Sequence, residues 1–143
     1  MARVLLVDDD RKVRDLIGRF LSEAGHRVEA YASGSQALHR LAQDDFDVLI
    51  GDFCPGDLYQ VQILGRIADL HPTLPVLVLS RCDDPQARDR ALRLGARGYL
   101  VKPFDLAYLL NWVEEASTEL ASEASESRSS FPGPARRRGG ERS

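Results

Sequence analysis

Several short apolar runs in this chain stop abruptly on an acid or a hydroxyl, and that punctuation restricts the fold more than any other feature. Met1–Val7 (MARVLLV) runs into Asp8, Asp9 and Asp10; Asp47–Gly51 (DVLIG) runs into Asp52; Pro75–Ser80 (PVLVLS) closes on its own serine. Unbroken apolar runs of this length read as strands buried on both faces, the condition of strands in a parallel sheet. Arg27–Tyr31 (RVEAY) alternates like a half-buried strand, and Gly98–Val101 (GYLV), closed by Lys102-Pro103, supplies a fifth.

Between these runs the period changes from strand-like to helical. Arg11–Ala24 carries Val13, Leu16, Ile17, Phe20 and Leu21 on one face, with Gly25 as a C-terminal stop. Ser33 stands three residues before Gln36, a capping-box pattern for a helix bearing Ala37, Leu38 and Leu41. Leu58–Leu70 predicts a helix with Val61, Leu64 and Ile67 on one side, after the turn-rich loop FCPGD. Asp84–Leu94 is a polar, arginine-rich helix ended by Gly95, and Asp105 onward places Leu106, Leu109, Leu110 and Val113 inward. Five strands alternating with five helices predict an α/β fold, a parallel sheet with helices on both faces.

With 143 residues the chain is sized for one domain, and 43% hydrophobic with 29% charged residues is an ordinary globular mixture. A net charge of −3 gives no global basic field, so direct nucleic-acid binding is not expected. No apolar run approaches the roughly 20 residues that cross a bilayer, so no membrane insertion is expected. Cys54 and Cys82 have neither zinc nor disulfide-framework spacing. With no signal peptide read at the N-terminus, a reduced cytoplasmic setting is expected. From about Ser117 the composition turns to Ser, Glu and Ala and then to SSFPGPARRRGGERS. The division expected is a domain over 1–118 and a polar, disordered tail or linker over 119–143, whose start can extend the last helix. Arg136–Arg138 reads as part of that solvated linker.

The unusual polar residues fall at the carboxyl ends of the strands, where parallel α/β sheets bind ligands. Carboxylates crowded at two neighbouring strand ends repel one another, and a bound cation relieves that repulsion. An all-oxygen set suits Mg²⁺, which accepts phosphate as a co-ligand. Ser80 and Lys102 would then stand beside the acids as hydroxyl and ammonium, the donors that a transferred phosphoryl oxygen requires. Each has a plainer reading: acids that cap a helix, a capping serine, a solvated lysine. A cis Lys102-Pro103 peptide would aim the lysine inward.

Together, VLLVDDD at 4–10, DVLIGD at 47–52, VLVLS at 76–80 and LGARGYLVKPF at 94–104 resemble the receiver domain of bacterial two-component response regulators. The resemblance covers about residues 2–118. It implies a doubly wound, flavodoxin-like sheet of strand order 2-1-3-4-5. It implies a phosphoacceptor response regulator in a phosphorelay, with Asp52 taking a phosphoryl group from a sensor histidine kinase or phosphotransfer protein. Asp8, Asp9, Asp52 and the backbone carbonyl of Cys54 would hold Mg²⁺ or Mn²⁺. Ser80 would hydrogen-bond the phosphoryl group and swing toward it, Lys102 would pair with it, and Tyr99 would change rotamer on activation, unless it is an ordinary half-buried tyrosine. Output would pass through the fourth helix, fifth strand and fifth helix to a downstream protein or a second copy. Apart from self-catalysed phosphotransfer and autodephosphorylation, no enzyme activity is implied.

The chain departs from the family pattern at two places. The loop Asp52-Phe53-Cys54-Pro55-Gly56-Asp57 is one residue short before its proline and lacks a later glycine. Arg81 replaces the small residue that follows Ser80, where it can obstruct the acceptor, clamp the phosphoryl group or point to solvent. These departures motivate an alternative, a receiver-like interaction module that signals independently of phosphorylation. Arg88, Arg90, Arg93 and Arg97 read as a solvated helix face or a partner surface. Cys54 and Cys82 read as free thiols, a redox pair being the other possibility. An aspartate-nucleophile phosphohydrolase would need a second acid two residues after Asp52, where Cys54 stands.

Overall fold

The computed structural model describes residues 1–123. Its elements are β1 (Arg3–Val7), α1 (Arg11–Glu23), β2 (Arg27–Tyr31), α2 (Gly34–Leu41), β3 (Val48–Asp52), α3 (Leu58–Leu70), β4 (Val76–Ser80), α4 (Pro85–Arg93), β5 (Gly98–Val101) and α5 (Leu106–Glu123). The sheet order is β2-β1-β3-β4-β5, with every pairing parallel. The expected doubly wound architecture is therefore the observed one. The part of the expected tail from residue 124 on, Arg136–Arg138 included, lies outside the described residues.

The sheet divides the core by residue parity, because successive side chains of a strand point to opposite faces. Leu5, Val7, Leu49, Val76 and Val78 pack with Ala37, Leu41, Ile63, Leu64, Ile67 and Ala91, from α2, α3 and α4. Val4, Leu6, Val48, Ile50, Leu77 and Leu79 pack with Ile17, Leu21, Leu109, Val113 and Ala116, from α1 and α5. Burying each leucine or isoleucine of this set contributes about 1.5–3 kcal/mol. The unbroken apolar strands thus serve two half-cores.

Helix ends follow from local chemistry. The side chain of Asp10 accepts the amides of Lys12 and Val13 and opens α1. Ser33 and Gln36 form the reciprocal capping box of α2. Asp57 caps α3 and Asp84 caps α4, the latter with Pro85 at the first turn. Gly25 and Gly95 follow the ends of α1 and α4 with positive φ, as the motif requires.

Three details differ from the sequence reading. Leu16 is 56% exposed, because Val13, Ile17, Phe20 and Leu21 already fill the arc of α1 that faces the core. Ile63 replaces Val61 among the buried residues of α3. β3 begins one residue later, since Asp47 leaves the apolar run: its carboxylate accepts the Arg3 amide at 2.8 Å.

A charged cluster lies away from the carboxyl ends of the strands. Arg3 donates to both carboxylate oxygens of Asp44 at 3.0 Å, and Arg40 donates to Glu29 at 2.8 and 3.0 Å. Both guanidinium groups stack over the ring of Phe46. These contacts fasten β1, β2 and α2 to the α2–β3 connection.

Candidate functional site

The three consecutive aspartates after β1 have three different surroundings. Asp8 is fully buried; its Oδ1 accepts the Asp10 amide at 2.9 Å, and its carbonyl accepts Arg14 Nη1 at 2.7 Å. Asp9 is exposed. Asp10 is used by the α1 cap, so the capping role holds for one acid of the three. Oxygens of Asp8, Asp9 and Asp52 all lie within 4.8 Å of one another. Three hard carboxylate ligands in that space fit a divalent cation such as Mg²⁺.

Lys102 is the counter-charge. Its Nζ lies 2.8 Å from Asp8 Oδ2 and 2.9 Å from Asp52 Oδ2, and its amide donates to the Ser80 carbonyl at 2.8 Å. The Lys102-Pro103 peptide is cis. For Lys102, burial works against the ammonium, but the hydrogen bonds it donates to Asp8 and Asp52, with the charges of those carboxylates, outweigh it and hold its pKa above the usual value. Asp52 nonetheless has a raised pKa. Its burial, together with the charges of Asp8 and Asp9, outweighs the help from Lys102. One ammonium does not balance three carboxylates, and the geometry leaves room for more positive charge.

Ser80, at the end of β4, is buried, and its hydroxyl accepts the Cys82 amide at 3.0 Å. Tyr99 is half-buried and donates its hydroxyl to the Cys82 carbonyl at 2.7 Å. Burial pushes the Tyr99 phenol up to about 12. Ser80 and Tyr99 therefore both grip the β4–α4 connection at Cys82, which joins the two residues expected to respond together. Both thiols, Cys54 and Cys82, are free and exposed.

The shortened loop is well tied down. Phe53 turns inward and is 2% exposed; it fills the space above Gly51, where any Cβ would collide with its ring. The Cys54 amide donates to Gln60 Oε1 at 2.7 Å, and the Cys54 carbonyl accepts the Asp57 amide at 3.0 Å. That carbonyl keeps a second lone pair. Arg90 reaches from α4 to donate to the Pro55 carbonyl at 2.8 Å, so it is more than part of a solvated face. Phe53, Gln60 and Arg90 were not singled out from sequence as site residues. Asp57-x-x-Gln60 repeats the capping spacing read at Ser33 and could have flagged Gln60; Arg90 had no such signal.

A cavity of about 660 Å³ opens over these groups, lined in part by Asp9, Asp52, Cys54, Ser80, Arg81 and Cys82. Asp52, Ser80, Lys102, Asp8 and Asp9 are thus brought together at one edge of the sheet. Such a site can hold a cation and a tetrahedral oxyanion side by side. Among the described residues, no helix is long and apolar enough to cross a membrane.

Comparison with known proteins follows the same lines. The family model described as the response regulator receiver domain matches residues 4–114. The chain is 38% identical over 112 residues to the response regulator protein FleR of Pseudomonas aeruginosa, covering 78% of this chain and 24% of FleR. It is 39% identical over 108 residues to the response regulator MprA of Mycobacterium ulcerans, covering 76% of this chain and 47% of MprA. The match thus spans about a quarter and about half of these relatives' lengths. Among solved structures, the chemotaxis response regulator CheY4 of Vibrio cholerae aligns with a TM-score of 0.73 at 30% identity, covering 81% of this chain and 98% of that one.

Proposed function

This chain belongs to the response regulator receiver domain family, and from that premise we propose that it is a phosphorylation-operated switch with Asp52 as the acceptor. The observation that carries the reading is Lys102, bonded at once to Asp8 and Asp52, the latter lining one cavity with Ser80. The donor is a phosphohistidine on a sensor kinase or phosphotransfer protein. An Asp52 carboxylate oxygen attacks phosphorus, the P–N bond breaks, and the imidazole leaves with the electron pair. The product is an acyl phosphate on Asp52.

Asp8, Asp9, Asp52 and the free lone pair of the Cys54 carbonyl would hold Mg²⁺ or Mn²⁺. Bound there, the ion supplies positive charge against the phosphoryl oxygens. Lys102 turns its ammonium to a phosphoryl oxygen as Asp52 loses its own charge. Ser80 donates its hydroxyl to another, which draws on the Cys82 amide and so on the bond from Tyr99. The phosphoryl group adds about 1.5 to 2 negative charges, enough to bias the two-state surface of α4, β5 and α5. A downstream protein or a second copy reads that surface, in the cytoplasm, with no chemistry performed on an outside substrate.

The test is intact mass after incubation with a small phosphodonor and Mg²⁺, beside an Asp52→Asn control. One phosphoryl group on the native chain, absent from the control, supports the switch. A second reading, an interaction module that signals without phosphorylation, is favoured by Arg81 at the wall of the acceptor cavity. A folded native chain that labels with neither a small donor nor a phosphohistidine would establish that reading instead.

A further inference from the structure

Resting on the phosphoacceptor reading, we propose that Arg81 is a second phosphoryl-binding cation, which holds the outer oxygens of phospho-Asp52 and slows their hydrolysis. Arg81 lines the acceptor cavity together with Asp9, Asp52 and Ser80. It also lines the adjoining groove with Lys102, Pro103 and Phe104, so it stands on the wall between the two. The Ser80 hydroxyl accepts the Cys82 amide across it at 3.0 Å, so the bond that responds to the phosphoryl group brackets Arg81.

Other arginines near the fold's connections are already engaged: Arg14 with the Asp8 carbonyl, Arg90 with the Pro55 carbonyl, Arg3 and Arg40 with carboxylates. Arg81 is exposed, and among the described residues it has no hydrogen-bond or ion-pair partner. Its guanidinium is available to an incoming anion.

Charge balance gives that anion a reason to take it. In the resting site, Lys102 and a divalent cation offset the three carboxylates of Asp8, Asp9 and Asp52. Phosphorylation removes the Asp52 charge and brings a phosphoryl dianion, which leaves about one negative charge over. The Arg81 guanidinium supplies the missing positive charge and matches two phosphoryl oxygens in its planar fork. Hydrolysis requires a water oxygen to bond to phosphorus while the P–O bond to Asp52 breaks. The carboxylate then returns and inorganic phosphate departs with the water's protons. A guanidinium on the open side of the cavity stands in that water's approach.

The test labels the native chain, Arg81→Ala and Arg81→Lys with a small phosphodonor and Mg²⁺, removes the donor, and follows loss of the phosphoryl mass. Arg81→Ala is expected to lose its label about fivefold faster, with Arg81→Lys between. Beryllofluoride with Mg²⁺, followed by thermal shift, is expected to bind Arg81→Ala about fivefold more weakly at low salt, a gap that added salt closes. Equal lifetimes and equal affinities for native chain and Arg81→Ala would overturn the Arg81 assignment alone. A folded native chain that takes neither label nor beryllofluoride would overturn the phosphoacceptor reading with it.

Discussion

Lys102 and Asp52 are held 2.9 Å apart although Lys102 follows β5 and Asp52 ends β3, with β4 between those two strands. Their contact adds a charged tie between the carboxyl ends of β5 and β3 to the backbone pairing that β4 makes with both. Burial of Asp52, with the nearby charges of Asp8 and Asp9, outweighs the help of an ammonium it shares with Asp8, so Asp52 is incompletely neutralised.

Asp52→Asn is therefore expected to stabilise the protein while abolishing labelling. Relieving one crowded carboxylate should add about 1 kcal/mol, or roughly 4 °C in Tm. The pH dependence has a definite sign. A carboxyl whose folded pKa is raised binds its proton more tightly in the folded state, so its contribution to stability falls as pH rises from the ordinary 3.8 through the raised value. The Tm gap between variant and native chain should thus narrow in acid. A gap that widens there would contradict this account.

The Arg3, Glu29, Arg40 and Asp44 cluster should behave in the opposite sense. Hydrogen bonds from Arg40 and from Arg3 hold the Glu29 and Asp44 carboxyls, respectively, below their ordinary ranges. Their stabilisation is present above 4.5 and 3.8 and is lost as pH falls through the depressed values. The groups lie at the surface and are partly exposed, so Arg40→Ala should lower Tm by only a degree or two, roughly, and less in high salt. Thermal melts at two ionic strengths check this.

Mg²⁺ is expected to raise the stability of the native chain by mass action, logarithmically once its concentration exceeds Kd. At tenfold over Kd the gain is about 1.4 kcal/mol. Asp9 is exposed and caps nothing, so Asp9→Asn should remove that gain while leaving the metal-free Tm nearly unchanged. Calorimetric titration of both proteins distinguishes a lost ligand from a damaged fold.

Gly51→Ala should cost about 2 kcal/mol through collision of its Cβ with the Phe53 ring. Adding Phe53→Leu should recover part of the loss, since the smaller side chain yields the space. A double-mutant cycle in urea measures the coupling; strict additivity would show that the two residues do not meet.

Tyr99→Phe removes the bond to the Cys82 carbonyl and should cost about 1 kcal/mol. The difference between native and Tyr99→Phe absorbance titrations should isolate a phenol that ionises near 12. Titration near the ordinary value of 10.0 would mean that the ring leaves its half-buried seat.

Much of this arrangement was legible in sequence because strands buried on both faces must be apolar throughout. The first polar residue after each run then marks the sheet edge, which is how Asp8, Asp9, Asp52, Ser80 and Lys102 could be read. What sequence did not separate was the division of labour among Asp8, Asp9 and Asp10, since it depends on where the backbone turns into α1. Phe53 read as loop, yet packing turns it inward over Gly51 and beside Gly34. Leu16 read as core, yet its neighbours occupy the available arc. Arg90 reaches Pro55 from 35 positions away, and no local pattern announces such a contact.

The parity of the two half-cores also governs where this chain can change length. Adding or deleting one residue within β1, β3 or β4 would exchange every inward side chain beyond it between the α2–α4 layer and the α1–α5 layer. Connections at the strands' carboxyl ends carry no such alternation, and they are the ones that frame the acceptor. The loop from Phe53 to Asp57 has the freedom to be short because the alternation ends at Asp52. Insertions and deletions are therefore expected in the connections rather than the strands, so that length can vary beside Asp52 and Ser80 without disturbing either half-core.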